Sequence, residues 1–288
     1  LLNVLTAKNE VFNIPYKLII KNDKFNKKVF SKFNSKKIRL DIKNENNYDK
    51  ETLNGFLDIL FINKNTSLNY EITEESFKFQ SNNNKNQYDG TIDFKPFYLS
   101  ANFNYEGLST KNLLDNDSIL IDLLYSEILN NENLSANINL KVKDITNISE
   151  LNNLYLKTFI EDGNINFSDS FIMWKEDLKI NLDETLLIIN DDGMSLAGTV
   201  DLNFNNVNNF YKSFQIKKLN RKNVKKIQVD FVYNLNSKNI RFDNPKINNL
   251  QNNELEEFLN IFNSKKIRTF NKITFKNFIN NFFNVYAG

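Results

Sequence analysis

The sequence predicts a mainly β protein, a long twisted antiparallel sheet that forms an open apolar groove, with a mid-chain amphipathic helix and a helical C-terminal tail. First, apolar and polar residues alternate in many segments, and successive side chains of a strand point to opposite faces of a sheet. Second, short polar turns separate these segments, as in a meander. Third, the 288 residues include only 7 Gly and 3 Pro, so Asn and Asp form most of the turns.

The first half of the chain carries this alternation from Ile14 to Tyr105. On the segment 53–62, for example, Leu57, Ile59 and Phe61 fall on one face. The predicted strands are 14–20, 38–42, 53–62, 67–73, 76–80, 88–94 and 97–105. We expect a polar turn or loop at 82–87.

The middle of the chain changes period. Between residues 113 and 129, apolar residues recur at helical spacing, and Asp117 is a plausible N-cap. We expect an amphipathic helix here that covers one end of the sheet. A strand follows at 134–142. The segment 148–160 fits either a helix followed by a strand or one long strand, and we favour a strand from about Leu154.

The most regular alternation runs from 151 to 242. Asp192-Gly193 predicts a tight hairpin turn between the strands 182–190 and 194–204, since Gly accepts a positive φ. A short helix at 207–214, strands at 221–235 and 238–242, and an end at Pro245 complete this part. Residues of shared parity are expected to line the groove, because a slip of one residue would turn them all to water. They are Ile165, Phe167, Leu178, Ile180, Leu182, Leu196, Val200, Leu202, Ile227, Val229 and Phe231.

The C-terminal part predicts helices. Asn253 and Glu256 resemble a capping box, and an apolar stripe follows on one helical face. The stripe consists of Phe275, Phe278, Ile279, Phe282, Phe283 and Tyr286. We expect it to pack on its own domain, with membrane contact by this helix as the alternative. The expected domains are a groove domain at 1–250 and a helical tail at 251–288.

Composition excludes several kinds of catalytic site. The chain has 0 Cys and 0 His, which excludes disulfides, Ser-His-Asp and Cys-His sites, and zinc sites rich in Cys. The acidic pair Asp191 and Asp192 is interpreted as part of a turn. A net charge of +2 indicates no strong field for nucleic acid. We therefore expect a protein that is not an enzyme and that uses no metal and no cofactor.

Two single features have an ordinary structural interpretation. Trp174 is expected to anchor a core or its rim. The basic cluster of Arg221, Lys222, Lys225 and Lys226 is expected to be a basic turn at the start of a strand, although it could meet lipid headgroups.

No window approaches the roughly 20 apolar residues of a membrane-spanning helix, and no signal peptide is evident. The chain opens at Leu1 in the middle of a pattern. We therefore expect a piece of a longer protein, with any anchoring segment in the missing N-terminal part.

Two stretches resemble the C-terminal part of bacterial AsmA-like (AsmA/TamB-type) proteins. They are YDGTIDFKPFYLSANFNYEGLSTKNLL, from Tyr88, and EDGNINFSDSFIMWKEDLKINLDETLLIINDDGMSLAGTVDLNFNNVNNFYKSFQI, from Glu161. The shared pattern is a strand with Gly and Phe before a Trp-containing segment, then a strand ending in Gly-Thr-Val and a short helix. The resemblance is clearest between Tyr88 and Ile247. The strands here are richer in Asn and Lys than the family pattern.

The resemblance implies a bacterial envelope protein with a curled antiparallel sheet, an apolar concave face and an N-terminal inner-membrane anchor. Such a protein would sit in the periplasm and carry phospholipid between membranes in outer-membrane biogenesis, without catalysis and with lipids rather than nucleic acid as partners. Acyl chains suit an apolar face because each buried CH₂ contributes about 0.8 kcal/mol without directional bonds. The alternatives are a structural β-rich envelope domain with a closed core and, less favoured, a β-rich enzyme that uses two carboxylates.

Overall fold

The computed structural model describes residues 2–11, 13–47, 53–61, 64–81, 86–109, 132–190, 193–264 and 272–288. Within these residues the chain is mainly β, and 18 strands form one long antiparallel sheet. The predicted fold class is confirmed in these respects. The helix expected at 113–129 and the turn residues Asp191 and Asp192 lie outside the described residues.

The chain divides into two compact units. Unit 1 comprises Leu1–Lys141 and Phe159–Gly163, and unit 2 comprises Val142–Thr158 and Asn164–Gly288. The C-terminal tail belongs to unit 2.

Unit 1 is a meander in which β1 to β9 pair antiparallel with their neighbours in chain order. Its strands are β1 (Leu2–Val11), β2 (Ile14–Asp23), β3 (Lys28–Ser35), β4 (Leu40–Asn47), β5 (Leu53–Phe61), β6 (Lys64–Ile72), β7 (Ser76–Ser81), β8 (Asn86–Phe94) and β9 (Phe97–Leu108). Two further strands, β10 (Ser135–Ile145) and β11 (Leu151–Glu161), have residues in both units.

Unit 2 combines a sheet with helices. Its strands are β12 (Asn164–Asn166), β13 (Phe171–Trp174), β14 (Leu178–Asn190), β15 (Gly193–Phe204), β16 (Lys226–Asn234), β17 (Asn239–Ile247) and β18 (Leu250–Gln251). Its helices are α1 (Val207–Phe214), α2 (Asn253–Ser264) and α3 (Lys272–Ala287), with a 3-10 turn at Lys218–Asn220.

The structure corrects the predicted N-terminus of the sheet. The alternation in the sequence predicted a sheet that begins at Ile14, whereas β1 precedes Ile14 and pairs along its length with β2. Val4 and Leu5 are both more than half exposed, at 56% and 61%. Because apolar residues occupy both faces of β1, its sequence lacks the clean alternation that marks a half-buried strand.

Pro245 does not end the β region as predicted, because β17 continues to Ile247. The register between β16 and β17 shifts between Gln228 and Asp230, and Asn244 has a φ of 51°. A bulge leaves one residue out of the ladder, and there a proline loses no hydrogen bond. The proline is therefore tolerated inside the strand.

The cap of α2 also differs from the prediction by one residue. The side chain of Asn252, rather than that of Asn253, accepts a hydrogen bond from the Leu255 backbone N–H at 2.9 Å. Asn253 is the first helical residue. An Asn-Asn pair offers two equivalent caps in sequence, and the structure selects the first of them.

Candidate functional site

The residues predicted to line the groove lie in unit 2, and the strand register places ten of the eleven on one face of its sheet. For example, Ile180 is opposite Leu202, which is opposite Ile227 on the next strand. Residues opposite each other in an antiparallel pair point to the same face. By this rule the shared face holds Ile165, Leu178, Ile180, Leu182, Leu196, Val200, Leu202, Ile227, Val229 and Phe231. Their role in lipid binding stays a prediction.

Phe167 is the exception, because β12 ends one residue before it. Its backbone N–H donates to the carbonyl of Thr185 at 2.7 Å, beside a shift of register between Asp183 and Leu186. The spacing of two residues between Ile165 and Phe167 therefore does not show which face of the sheet Phe167 lies on, since an irregularity in the ladder breaks the alternation of faces.

Helices α1 and α3 cover one end of this face. Leu178 and Ile227 are 2% and 3% exposed and belong to a buried cluster with residues of both helices. Ile180 and Leu202 pack against the same cluster. The helical members include Phe210, Tyr211, Phe214, Ile279, Phe282 and Phe283. Four of the predicted lining residues thus belong to the core beneath these helices, and Ile165 and Phe231 are buried as well, at 2% and 6% exposed.

Aromatic rings hold the helices on the sheet. The Trp174 ring centroid lies 5.3 Å from that of Phe214 in α1, and Phe242 of β17 lies 5.5 Å from Phe278 in α3. Phe283 meets Tyr211 edge to face at 5.0 Å. Such pairs contribute about 0.5–1.5 kcal/mol each beyond their buried area. Trp174 and the apolar stripe of the tail therefore serve this core.

Beyond the helices, a row of smaller side chains continues the face. Leu182 is opposite Val200, and Val200 is opposite Val229. All three are half-buried, and none belongs to the helix-covered cluster. Among the predicted lining residues, this row is the part best suited to contact a ligand.

The opposite face of the same strands is polar around Asp201 and Asp230, and it also carries Leu186 and Val232, each 40% exposed. Lys226 forms an ion pair with Asp201 at 2.6 Å, and the Thr199 hydroxyl donates to Asp230 at 2.8 Å. The side-chain amide of Asn244 also donates to Asp230, at 2.8 Å. The alternation in the sequence therefore corresponds to an apolar and a hydrated face in unit 2.

Unit 1 has an apolar sheet face of its own, which was not predicted as a site from the sequence. The register carries it across β2 to β9 without a break: Leu18 is opposite Phe33, Phe33 is opposite Ile42, and Ile42 is opposite Ile59. We call this surface the unit 1 apolar face. Its apolar members include Leu18, Phe33, Ile42, Leu57, Ile59, Leu68, Ile72, Phe77, Phe79, Tyr88, Ile92, Leu99 and Phe103.

Among the residues that the structure describes, the unit 1 apolar face and that of unit 2 differ in the helices that lie on them. In the described part of unit 1 there is no helix. Most members of the face are half-buried rather than buried, although Leu68 and Tyr70 are 7% and 6% exposed. Parity within single strands was visible in the sequence. This face could have been identified only from the continuous register over many strands, and that register is known only once the pairing of the strands is known.

Two glycines on this face make room for aromatic rings. A Cβ on Gly55 would lie 2.2 Å from the Tyr70 hydroxyl oxygen, and one on Gly90 would lie 2.4 Å from the Phe79 ring. Each ring therefore lies across the glycine of the neighbouring strand. The Tyr70 hydroxyl also donates to the side-chain oxygen of Asn44 at 2.7 Å.

Gly55→Ala should lower the free energy of unfolding by about 1–3 kcal/mol, because the new methyl group displaces the Tyr70 ring. In a Tyr70→Ala background the same change should be neutral or stabilising, since Ala is favoured over Gly in a strand by about 0.5–1 kcal/mol. Urea denaturation of the four proteins measures this coupling. Equal effects of Gly55→Ala in both backgrounds would contradict the contact.

Burial on this face raises the pKa of two tyrosines. Desolvation, reinforced by the neighbouring Tyr88, raises the pKa of Tyr105 to about 12. Desolvation also raises the pKa of Tyr70, against the opposing effect of its hydrogen bond to Asn44. The neutral phenol is favoured because a phenolate loses hydration where water is excluded.

The described residues hold few features of a catalytic or metal site. They contain no group of three or more acidic side chains that could bind a metal ion. A cavity of about 280 Å³ lies on the polar face of unit 1, lined by Lys32, Asp41, Lys43, Asp58, Leu60 and Asn65. There Lys32 pairs with Asp41 at 3.1 Å, and the Ser67 hydroxyl donates to Asp58 at 2.7 Å. These contacts are those of an ordinary hydrated strand surface.

Comparison with protein-family models, with curated proteins and with solved structures finds no match to this chain. In the described part of the chain, no helix has both the length and the apolar character needed to cross a bilayer.

Proposed function

We propose that this chain is a non-enzymatic envelope protein that binds phospholipid acyl chains on its apolar sheet faces and takes part in lipid transport between membranes. The observation that carries the proposal is the unit 1 apolar face, which continues over eight strands with no helix on it among the described residues. An apolar surface of this extent is unusual on a soluble monomer and is typical of a ligand or membrane site. The periplasmic location and the inner-membrane anchor rest on the AsmA-like resemblance.

Acyl chains match the chemistry of this face. The face consists of aliphatic and aromatic side chains, and its polar groups include the bonded set of Tyr70, Asn44 and Ser31. Long hydrocarbon chains gain about 0.8 kcal/mol per buried CH₂ and need no hydrogen-bond partners. In unit 2 the corresponding contact surface is the row of Leu182, Val200 and Val229.

A structural domain with a closed core is the second candidate, and one observation favours it. In unit 2 the helices bury Leu178 and Ile227 under a core of aromatic rings. This arrangement stabilises the unit and leaves a ligand no access to that end of the face. If unit 1 were covered in a similar way, its apolar face would have no lipid site.

Cross-linking with a phospholipid that carries a diazirine on its acyl chain separates the two candidates. We expect cross-links on the unit 1 apolar face, for example at Phe33, Ile42 or Phe79, and few at Lys32 or Lys43 on the opposite face. Cross-links spread equally over both faces would contradict the proposal, and an absence of cross-links would favour the closed core.

A further inference from the structure

The segment between α1 and β16 is the most basic part of unit 2. Residues 215–226, here called the basic loop, hold six basic side chains and no acidic one. They are Lys217, Lys218, Arg221, Lys222, Lys225 and Lys226. The chain as a whole carries a formal charge of only +2, so this concentration of charge is local.

The backbone of the basic loop is fixed by side-chain hydrogen bonds. The Tyr211 hydroxyl donates to the carbonyl of Lys222 at 2.7 Å, and the amide of Asn220 donates to Asn284 of α3 at 3.0 Å. Ile216 and Val224 are each 1% exposed and insert into the core. The loop therefore presents its outward side chains from a defined position.

Four lysines of the loop point to solvent. Lys217, Lys218, Lys222 and Lys225 are exposed and make no ion pair within the described residues. The remaining two cations are engaged, since Lys226 pairs with Asp201 and the Arg221 guanidinium donates to the carbonyl of Ile216.

The acids near this end of the sheet form no ion pair with the four lysines in the described part of the chain. The turn between β13 and β14 brings Glu176 and Asp177 there, and Asp177 accepts a hydrogen bond from the side chain of Asn209 at 3.0 Å. The positive charge of the four lysines is thus left for an external partner.

A leucine stands exposed among these lysines. Leu219, in the 3-10 turn Lys218–Asn220, is 76% exposed although its neighbour Asn220 is 4% exposed. A second leucine, Leu250, is 73% exposed. It follows the turn at Asn248, whose side chain accepts from the Lys225 backbone N–H at 2.8 Å.

We propose that the basic loop docks unit 2 on an anionic lipid surface, with its four free lysines at the headgroups and Leu219 inserted between them. Lysines near an anionic leaflet are attracted to it, and an apolar side chain among them gains by leaving water. A nucleic-acid surface is less well matched, because it favours arginine forks and aromatic stacking. This docking does not depend on lipid carriage by the sheet faces.

Sedimentation with vesicles tests the docking. The full chain should bind vesicles of phosphatidylcholine with about 30% phosphatidylglycerol, bind pure phosphatidylcholine weakly, and dissociate as salt is raised. Replacing Lys217, Lys218, Lys222 and Lys225 by Gln should weaken binding by more than about a hundredfold, since each lysine near the surface accounts for about fivefold. Leu219→Asn should weaken binding by about tenfold and keep the salt dependence.

A matched control variant removes the same number of positive charges from unit 1 instead of from the basic loop. Lys8, Lys17, Lys21 and Lys36 of unit 1 are exposed, and their replacement by Gln should leave vesicle binding within about twofold, apart from the effect of net charge. Equal losses in the control and in the loop variant would overturn the proposal, as would binding to neutral vesicles at the same strength. The proposal would also be overturned if the chain bound a single-stranded nucleic acid but not anionic vesicles, and if Leu219→Asn left the binding of the nucleic acid unchanged.

Discussion

Phe283→Ala should lower the free energy of unfolding by about 3–5 kcal/mol, the range for removing a large buried aromatic side chain. Phe283 is 1% exposed and contacts rings of α1 and α3, among them Tyr211 at 5.0 Å and Phe282 at 5.6 Å. The loss is large because these aromatic neighbours cannot close the cavity without moving a helix. Guanidinium denaturation followed by tryptophan fluorescence measures it, since Trp174 packs in the same core.

Ile261→Ala is the matched control for this prediction. Ile261 is 53% exposed on α2, so its truncation should change the free energy of unfolding by no more than about 0.5 kcal/mol. A loss for Phe283→Ala as small as that for Ile261→Ala would mean that α3 is a loosely attached cover. In that case the face beneath the helices would be available to a ligand after all.

Leu18→Asp should abolish most of the retained phospholipid, whereas Ile19→Asp should leave it nearly unchanged. The two residues are adjacent on β2, their side chains have the same composition, and they point to opposite faces of the sheet. Leu18 is opposite Phe33 on the unit 1 apolar face, and Ile19 is opposite Lys32 on the polar one. A carboxylate among acyl chains must lose its hydration or take up a proton, and either costs several kcal/mol.

Circular dichroism distinguishes loss of lipid from loss of fold in these variants. If the face is open, Leu18→Asp keeps its β signal, because the empty face is hydrated and the aspartate can stay ionised. If another part of the chain closes the face, Leu18→Asp should unfold unit 1, and Ile19→Asp should not. Equal lipid retention by the two variants would contradict the assignment of lipid to this face.

The sequence was sufficient for the faces of individual strands because alternation is a local property. Ile180, Leu202 and Ile227 share a face in the register, as their parity predicted. Phe167 could not be placed, since the irregularity beside Thr185 lies in the partner strand and leaves no mark near Phe167 itself. The prediction that the β region ends at Pro245 was wrong for the same reason, because the bulge that accommodates this proline depends on the pairing with β16.

The alternation of apolar and polar residues could not predict what lies on each apolar face of the sheet. An apolar strand face has the same pattern whether helices, a ligand or a second sheet lies on it. The apolar stripe of α3 was visible in the sequence, but the sequence did not show that this stripe would meet α1 over Leu178 and Ile227. The unit 1 apolar face could not be identified as a site from the sequence, because it depends on the register between eight strands rather than on the alternation within any one of them.

The phospholipid content of the unmodified protein is the most direct test of lipid binding by the apolar sheet faces. Mass spectrometry of gently purified protein, with lipid and protein quantified in the same sample, gives the molar ratio. An open apolar face that binds acyl chains predicts at least about one phospholipid per chain, because an uncovered surface of this kind is unfavourable in water. Protein that is folded, monomeric and free of lipid would contradict lipid binding by these faces.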